Sequence, residues 1–313
     1  MITRFRAVAA LAFAASLAAC TFNPATGRRE FSMISRDEEI AMGVTEGPKF
    51  AAEFGGKVNN AELQSYVSRI GHALAAKTEG DYPSLPWEFT LLDSDVINAF
   101  ALPGGKIYLT RGLARQMTNE AQLAAVLGHE VGHVTARHIN SQMSRQGLTS
   151  LIIGVAAAAS GQEYGQDVAE IGQQVGGVVL LKFGRDQESQ ADEFGMRYMS
   201  KLNYDPKGAL EVMQILQRAM AGGRQPELLS THPYPETRME RIQNALGSTY
   251  KATQGNPQFS LRESEFRSGF LPKLNALPAP KHPGAVKKSD AGTPFMGKYG
   301  YCALCLAGDR SHD

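Results

Sequence analysis

Leu63, Val67, Ile70 and Leu74 recur three and four positions apart. A 3.6-residue repeat lines them along one face, so the spacing predicts an amphipathic helix. Asn59 with Glu62 three positions on marks its start, repeating the capping-box signal that Ser35 and Glu38 give for an earlier helix running toward Gly47-Pro48. The run Trp87-Glu88-Phe89-Thr90-Leu91 alternates and predicts a strand. Asn98-Ala99-Phe100-Ala101 and Ile107-Tyr108-Leu109-Thr110 flank Pro103-Gly104-Gly105, a turn signal between two short strands. Helical periodicity then returns over residues 119–140, 148–160, 187–202, 206–220 and 235–246. From Gly247 onward the chain is rich in Pro, Gly and Lys with little periodicity, and residues 251–313 are expected to form an irregular C-terminal extension.

Two apolar runs, Leu151–Ala159 and Gly176–Leu181, are too short to cross a bilayer and are expected to be buried helix. At the N-terminus, Arg4 and Arg6 precede an apolar run from Ala7 to Ala19, the pattern of a secretion signal over residues 1–19. It ends in Leu17-Ala18-Ala19-Cys20, which resembles a bacterial lipobox. Residues 20–34 then read as a lipidated N-terminus and tether, with Cys20 carrying the acyl chains that hold the protein to a membrane. Thr21, where an Asp would favour inner-membrane retention, points by resemblance to Gram-negative lipoproteins to the periplasmic face of the outer membrane. The alternative is an ordinary signal peptide and a soluble periplasmic protein. Residues 35–250 are left as the folded domain. The chain has 313 residues, 43% of them hydrophobic, with 32 Lys plus Arg against 31 Asp plus Glu. That balance excludes a global electrostatic footprint for nucleic acid. Cys302 and Cys305 form a C-x-x-C without a thioredoxin-like context, and a local disulfide is the expectation.

The chemistry enters with His129-Glu130-Val131-Gly132-His133. Asn119 can cap this helix with Gln122 at its third position, and histidines four apart project from one face, where two imidazoles can share one zinc. Glu130 sits beside that metal without binding it, placed to take a proton from an activated water. In a helix starting near Asp186, Glu188 and Asp192 share a face with Ala191, Gly195, Met199 and Leu202, while Gln190, Glu193, Arg197 and Lys201 face elsewhere. Carboxylates on a burying face need a cation or donors. One zinc per chain, held by His129, His133 and Glu188, would compensate Glu188. Asp192 could then accept the free ring N–H of a ligand histidine. The competing account of the two carboxylates is a buried salt bridge to Arg185 or Arg197. Two His and one Glu leave an open position, the catalytic rather than the structural arrangement, and peptide-bond hydrolysis is the chemistry expected.

His129 through Arg137-His138, followed by Arg185-Asp186-Gln187-Glu188-Ser189-Gln190-Ala191-Asp192, resemble the CAAX prenyl endopeptidase, HtpX and Oma family of gluzincin proteases. The periplasmic branch containing the beta-barrel assembly-enhancing proteases is nearest. The resemblance covers roughly residues 30–250. It implies an α+β fold, helix-dominated, with a small antiparallel sheet over the zinc cleft. Asn98, Ala99, Phe100 and Ala101 are similar to the family's edge strand, which would bind a protein or peptide substrate as an added strand; a plain core hairpin is the other reading. Ser230-Thr231-His232-Pro233, with Arg238 after it, resembles a second active-site segment. His232 would either stabilise the oxyanion, with Arg238, or occupy the metal's remaining position and hold the enzyme latent. His138 is expected to be a structural histidine.

Two functions compete. One is an endopeptidase acting on envelope proteins in quality control at the outer membrane. The other is a non-enzymatic lipoprotein that binds outer-membrane assembly machinery, its zinc serving structure. A structural site has no use for Glu130, which favours the first.

Overall fold

The computed structural model describes residues 20–159, 182–222, 226–233 and 235–282. The signal segment 1–19, the Gly176–Leu181 run, the Cys302–Cys305 pair and residues 283–313 lie outside the described residues. Strands β1 (Cys20–Asn23) and β2 (Arg28–Phe31) form an antiparallel hairpin. The segment expected to be a tether is therefore folded. It is docked as well: Asn23 donates to the carbonyl of Thr135 at 2.9 Å, and Arg137 donates to the Thr21 hydroxyl at 3.2 Å.

Helix α1 (Arg36–Glu53) starts at the expected Ser35–Glu38 capping box but continues through Pro48. Gly43 and Gly47 allow it to pack closely. A Cβ at either would meet Pro103 or Tyr108 within 2.5 Å, so α1 lies against the β-turn below it. Helix α2 (Ala61–Ala75) is capped by Asn60, one residue after the Asn59 expected, because Asn60 accepts from the Leu63 amide. Its stripe of Leu63, Val67, Ile70 and Leu74 is almost wholly buried in the main core.

Strands β3 (Glu88–Leu92), β4 (Ala99–Leu102) and β5 (Lys106–Thr110) form one sheet in the order β3-β5-β4. The β4–β5 pair is antiparallel as expected, its turn made by Gly104 and Gly105 at positive φ of 71° and 83°. β3 pairs with β5 in parallel, so the sheet is mixed. The chain inserts β4 between the two, which returns β5 in the direction of β3. β4 is left at the edge.

A short helix α3 (Arg111–Ala114) leads to α4 (Glu120–Thr135), buried along its whole length. The chain then breaks at Arg137, at a positive φ of 51°, and α5 (His138–Ala159) begins. One long helical stretch was expected over 119–140; the left-handed residue divides it. Helices α6 (Arg185–Ser200), α7 (Lys207–Ala221), α8 (Leu228–Thr231) and α9 (Pro235–Gly247) complete the helical layer. Backbone contact between α4 and α6 fixes the site. A Cβ on Gly195 would stand 2.9 Å from the amide nitrogen of His129, and one on Gly132 would stand 2.9 Å from the carbonyl of Ala191. Small residues on both helices let the axes approach this closely and carry the carboxylates of α6 to the histidines of α4.

Within the segment expected to be irregular, Glu263–Asn275 is helical, with a π turn at Phe266–Phe270. Phe266, Phe270 and Leu274, spaced four apart, are buried in the main core. Beyond them the Pro278 carbonyl accepts from Arg111 at 2.9 Å, and His282 bridges to Ser94. Among the described residues no helix is long and apolar enough to cross a membrane.

Candidate metal centre

Asn119 accepts from the Gln122 amide at 2.9 Å and starts α4. Further along α4, His129 and His133 stand one turn apart, and their Nε2 atoms converge to 3.0 Å. Glu188, on the first turn of α6, is fully buried, with Oε1 3.5 Å from Nε2 of His133 and Oε2 3.6 Å from Nε2 of His129. His232 follows α8 and also enters the cluster, its Nδ1 being 2.9 Å from Oε1 of Glu188 and 3.3 Å from Nε2 of His129. One atom from each of the four lies within 4.8 Å of the others. A tetrahedron with metal–ligand bonds of about 2.0–2.1 Å has edges of about 3.3–3.4 Å, so these spacings suit one zinc ion.

The donor set and its burial agree with that fit. Burial pushes His133 well below its ordinary range, so its imidazole is neutral and has a lone pair to offer. Burial would raise the Glu188 pKa, but His232, Arg238 and His133 outweigh it and hold the carboxyl well below the usual range. Oε2 of Glu188 is buried in an ion pair with the Arg238 guanidinium at 2.7 Å and makes no hydrogen bond. Oε2 of Glu130 is likewise buried without a hydrogen-bond partner. Glu130 Oε2, orphaned beside two converging imidazoles and a second buried carboxylate, calls for a cation or a donor.

The flanking contacts differ from what the sequence suggests. Glu188 and Asp192 pair with neither Arg185 nor Arg197. Their partner is Arg238 on α9, which donates to both oxygens of Asp192 at 2.7 and 2.8 Å. Burial would raise the Asp192 pKa, and Arg238 and His129 outweigh it. Asp192 Oδ1 lies 2.8 Å from Nδ1 of His129. The Arg238 guanidinium is thus committed to Glu188 and Asp192. Burial would lower the His232 pKa, and the carboxylates of Glu188 and Glu130 raise it, the latter 3.7 Å from Nε2 of His232.

Two further neighbours were not foreseen. Phe183 packs against His133 with ring centroids 3.9 Å apart and the planes tilted by 34°; an isolated aromatic carries no signal in sequence. His138 places its Nδ1 2.9 Å from Nδ1 of His133, and its Nε2 2.9 Å from the amide oxygen of Gln190. Burial pushes the His138 imidazole down to about 4. Gln190, expected to face away from the burying surface of α6, is half-buried against it.

Asn98 precedes edge strand β4, and Ala99, Phe100 and Ala101 lie in it; all four are buried, and β4 packs against α4. The Asn98 side-chain oxygen has no partner. A recess of about 350 Å³ opens beside Glu130 and His232, walled by Ala125, Val126, Val212, Met213 and Leu228.

Comparison with known proteins fits this geometry. The model of peptidase family M48 matches residues 61–246. The beta-barrel assembly-enhancing protease of Escherichia coli (strain K12) is 29% identical over 275 residues, 81% of this chain and 51% of that protein. That of Yersinia pestis is 30% identical over 232 residues, 71% of this chain and 46% of its own length. The mitochondrial metalloendopeptidase OMA1 of Schizosaccharomyces pombe is 31% identical over 229 residues, 71% of this chain and 65% of that protein. The chain spans about half the length of the bacterial relatives it matches.

Proposed function

The chain belongs to peptidase family M48 and is a zinc metallopeptidase of that family, and from that premise we propose that it is an endopeptidase of envelope proteins in which Glu130 is the general base. The observation that carries this reading is the buried convergence of His129, His133 and Glu188 beside a Glu130 oxygen that has no partner. We assign the three converging residues as the zinc ligands. When bound, zinc supplies Lewis acidity, lowering the pKa of a water and polarising the scissile carbonyl.

The chain's own residues do the rest. Glu130, held on α4 one position after His129, accepts the proton of the attacking water and returns it to the departing amine. Asp192 fixes the His129 ring, and Arg238 holds Asp192 and Glu188 in register. Arg238 is a positioning residue on this reading. Edge strand β4, with Asn98 before it, receives the substrate backbone as an added strand. The fourth position in the cluster is held by His232, an arrangement that favours the latent enzyme over the oxyanion donor.

The bacterial relatives are named beta-barrel assembly-enhancing proteases, and on that analogy we assign this chain to envelope protein quality control near outer-membrane assembly machinery. We place residues 1–19 as a signal peptide, Cys20 as the lipidation site and the outer membrane's periplasmic face as the location. Hydrolysis of casein by the purified protein, with and without a chelator, tests the enzymatic core of this proposal. Chelator-sensitive cleavage is the expected result. A zinc-loaded protein inert toward unfolded substrates, even with His232 replaced, would return the site to a structural role.

A further inference from the structure

We propose that His138, aimed by Gln190, is the positioning residue that presents His133 to zinc, through a chain of two hydrogen bonds that sets the tautomers of both imidazoles. The inference rests on the reading of His133 as a ligand. The distance between Nδ1 of His133 and Nδ1 of His138 is 2.9 Å, so one of these nitrogens carries a hydrogen and the other accepts it. The far end decides which. Nε2 of His138 stands 2.9 Å from the amide oxygen of Gln190, and an amide oxygen only accepts. Nε2 of His138 therefore bears the hydrogen, Nδ1 of the same neutral ring is an acceptor, and the hydrogen between the rings belongs to His133. Nε2 of His133 is left with its lone pair facing His129 and Glu188. Reversing the Gln190 amide would reverse both bonds and put a hydrogen on that nitrogen, where it would block a metal.

The fold holds this chain in place from both ends. Arg137, at its positive φ, turns the backbone so that the first residue of α5 faces back over the last turn of α4. Its guanidinium is tied to Glu39 at 3.1 Å and to the Ile34 carbonyl at 2.8 Å. Gln190 sits two residues beyond Glu188 on α6, so one helix supplies a ligand and orients another. The two histidines of α4 are consequently backed in different ways. His129 meets the carboxylate of Asp192, itself neutralised by Arg238, whereas His133 meets an uncharged acceptor. A buried site that already holds the carboxylates of Glu130 and Glu188 gains its second orienting contact without a further anion.

Zinc affinity, measured by competition with a chromophoric chelator, tests the chain without reference to catalysis. His138→Leu is expected to weaken binding about ten- to a hundredfold, the usual effect of removing such a partner. His138→Asn returns an amide oxygen to the position of Nδ1 and is expected to restore most of the affinity. Gln190→Leu should weaken binding in the parent protein and have no effect in the His138→Asn background, because that oxygen accepts from His133 without needing Gln190. A merely structural role predicts the opposite, additive losses that follow the thermal midpoint of the metal-free protein. Gln190 is half-buried, so its variants keep the test open should His138→Leu fail to fold. Glu188→Ala separates this proposal from the zinc site itself. Zinc lost there but unchanged in both His138→Leu and Gln190→Leu overturns the positioning chain alone, whereas a parent protein that binds no zinc overturns both.

Discussion

Oδ1 of Asp192 lies 2.8 Å from Nδ1 of His129, on the far side of the ring from the Nε2 that faces His133. A carboxylate there orients the imidazole and raises its basicity toward a metal. Asp192→Asn is expected to weaken zinc binding about ten- to a hundredfold. Competition with a chelator measures it, and an unchanged dissociation constant would reduce Asp192 to a counterion for Arg238.

Glu130 is buried, has one oxygen without a partner and is 3.7 Å from His232. A base that touches water rather than metal can be neutralised without emptying the site. Glu130→Gln should keep one zinc per chain and abolish proteolysis. Metal analysis beside a peptidase assay decides it; loss of zinc along with activity would place Glu130 among the ligands.

How much of this site can be read from sequence depends on how local its geometry is. His129 and His133 are legible because four residues of one helix place them on one face. Glu188 and Asp192 are legible because they break an apolar stripe. The partnership of Arg238 with both is not, since it joins α9 to α6 across 46 residues for Asp192 and no local pattern encodes it. His138 is hidden for another reason. An uninterrupted helix would carry it away from His133, and only the left-handed Arg137 brings it back. The same holds for the fold: capping residues and stripes mark the helices, whereas the parallel pairing of β3 with β5 depends on where β4 inserts.

Glu120, at the start of α4, is buried and receives hydrogen bonds from Tyr204 at 2.6 Å, from Arg262 at 3.0 Å and from Tyr66. Burial raises its pKa, but these bonds outweigh it and leave the carboxyl below its ordinary value of 4.5. A depressed pKa contributes stability above the unfolded value, lost as pH falls through the folded one. Glu120→Gln should lower stability near neutral pH by about 1.5–3 kcal/mol, the scale of charge-assisted bonds. The gap between the two proteins in urea unfolding should narrow below pH 4.5. A gap independent of pH would mean that the charge of Glu120 contributes nothing.

Cys20 opens β1, and Asn23, three residues on, is bonded to the end of α4. An acyl anchor on Cys20 would hold the domain against the bilayer, with no free tether between them among the described residues. Cys20→Ala should leave a folded protein outside the membrane pellet. Radioactive fatty acid incorporated into that variant would put the anchor at another residue.

His232 has two possible jobs, and they predict opposite responses to its removal. Its Nδ1 stands 2.9 Å from Glu188 and 3.3 Å from Nε2 of His129, spacings that suit a fourth ligand filling the position a water would need. The main chain leading into it is pinned: the amide of Leu228 donates to the Ile97 carbonyl, beside edge strand β4, and the Thr231 carbonyl accepts from the Phe183 amide. A substrate strand arriving at β4 would compete with the first of these bonds and loosen the segment that carries His232. Three ligands suffice to retain zinc, so His232→Ala should keep the metal and leave basal cleavage of an unstructured substrate unchanged or raise it. An oxyanion donor would behave otherwise, since its loss commonly costs about 10²–10³ in rate. A fall of about a hundredfold with zinc retained would therefore assign His232 to the transition state and remove the gate.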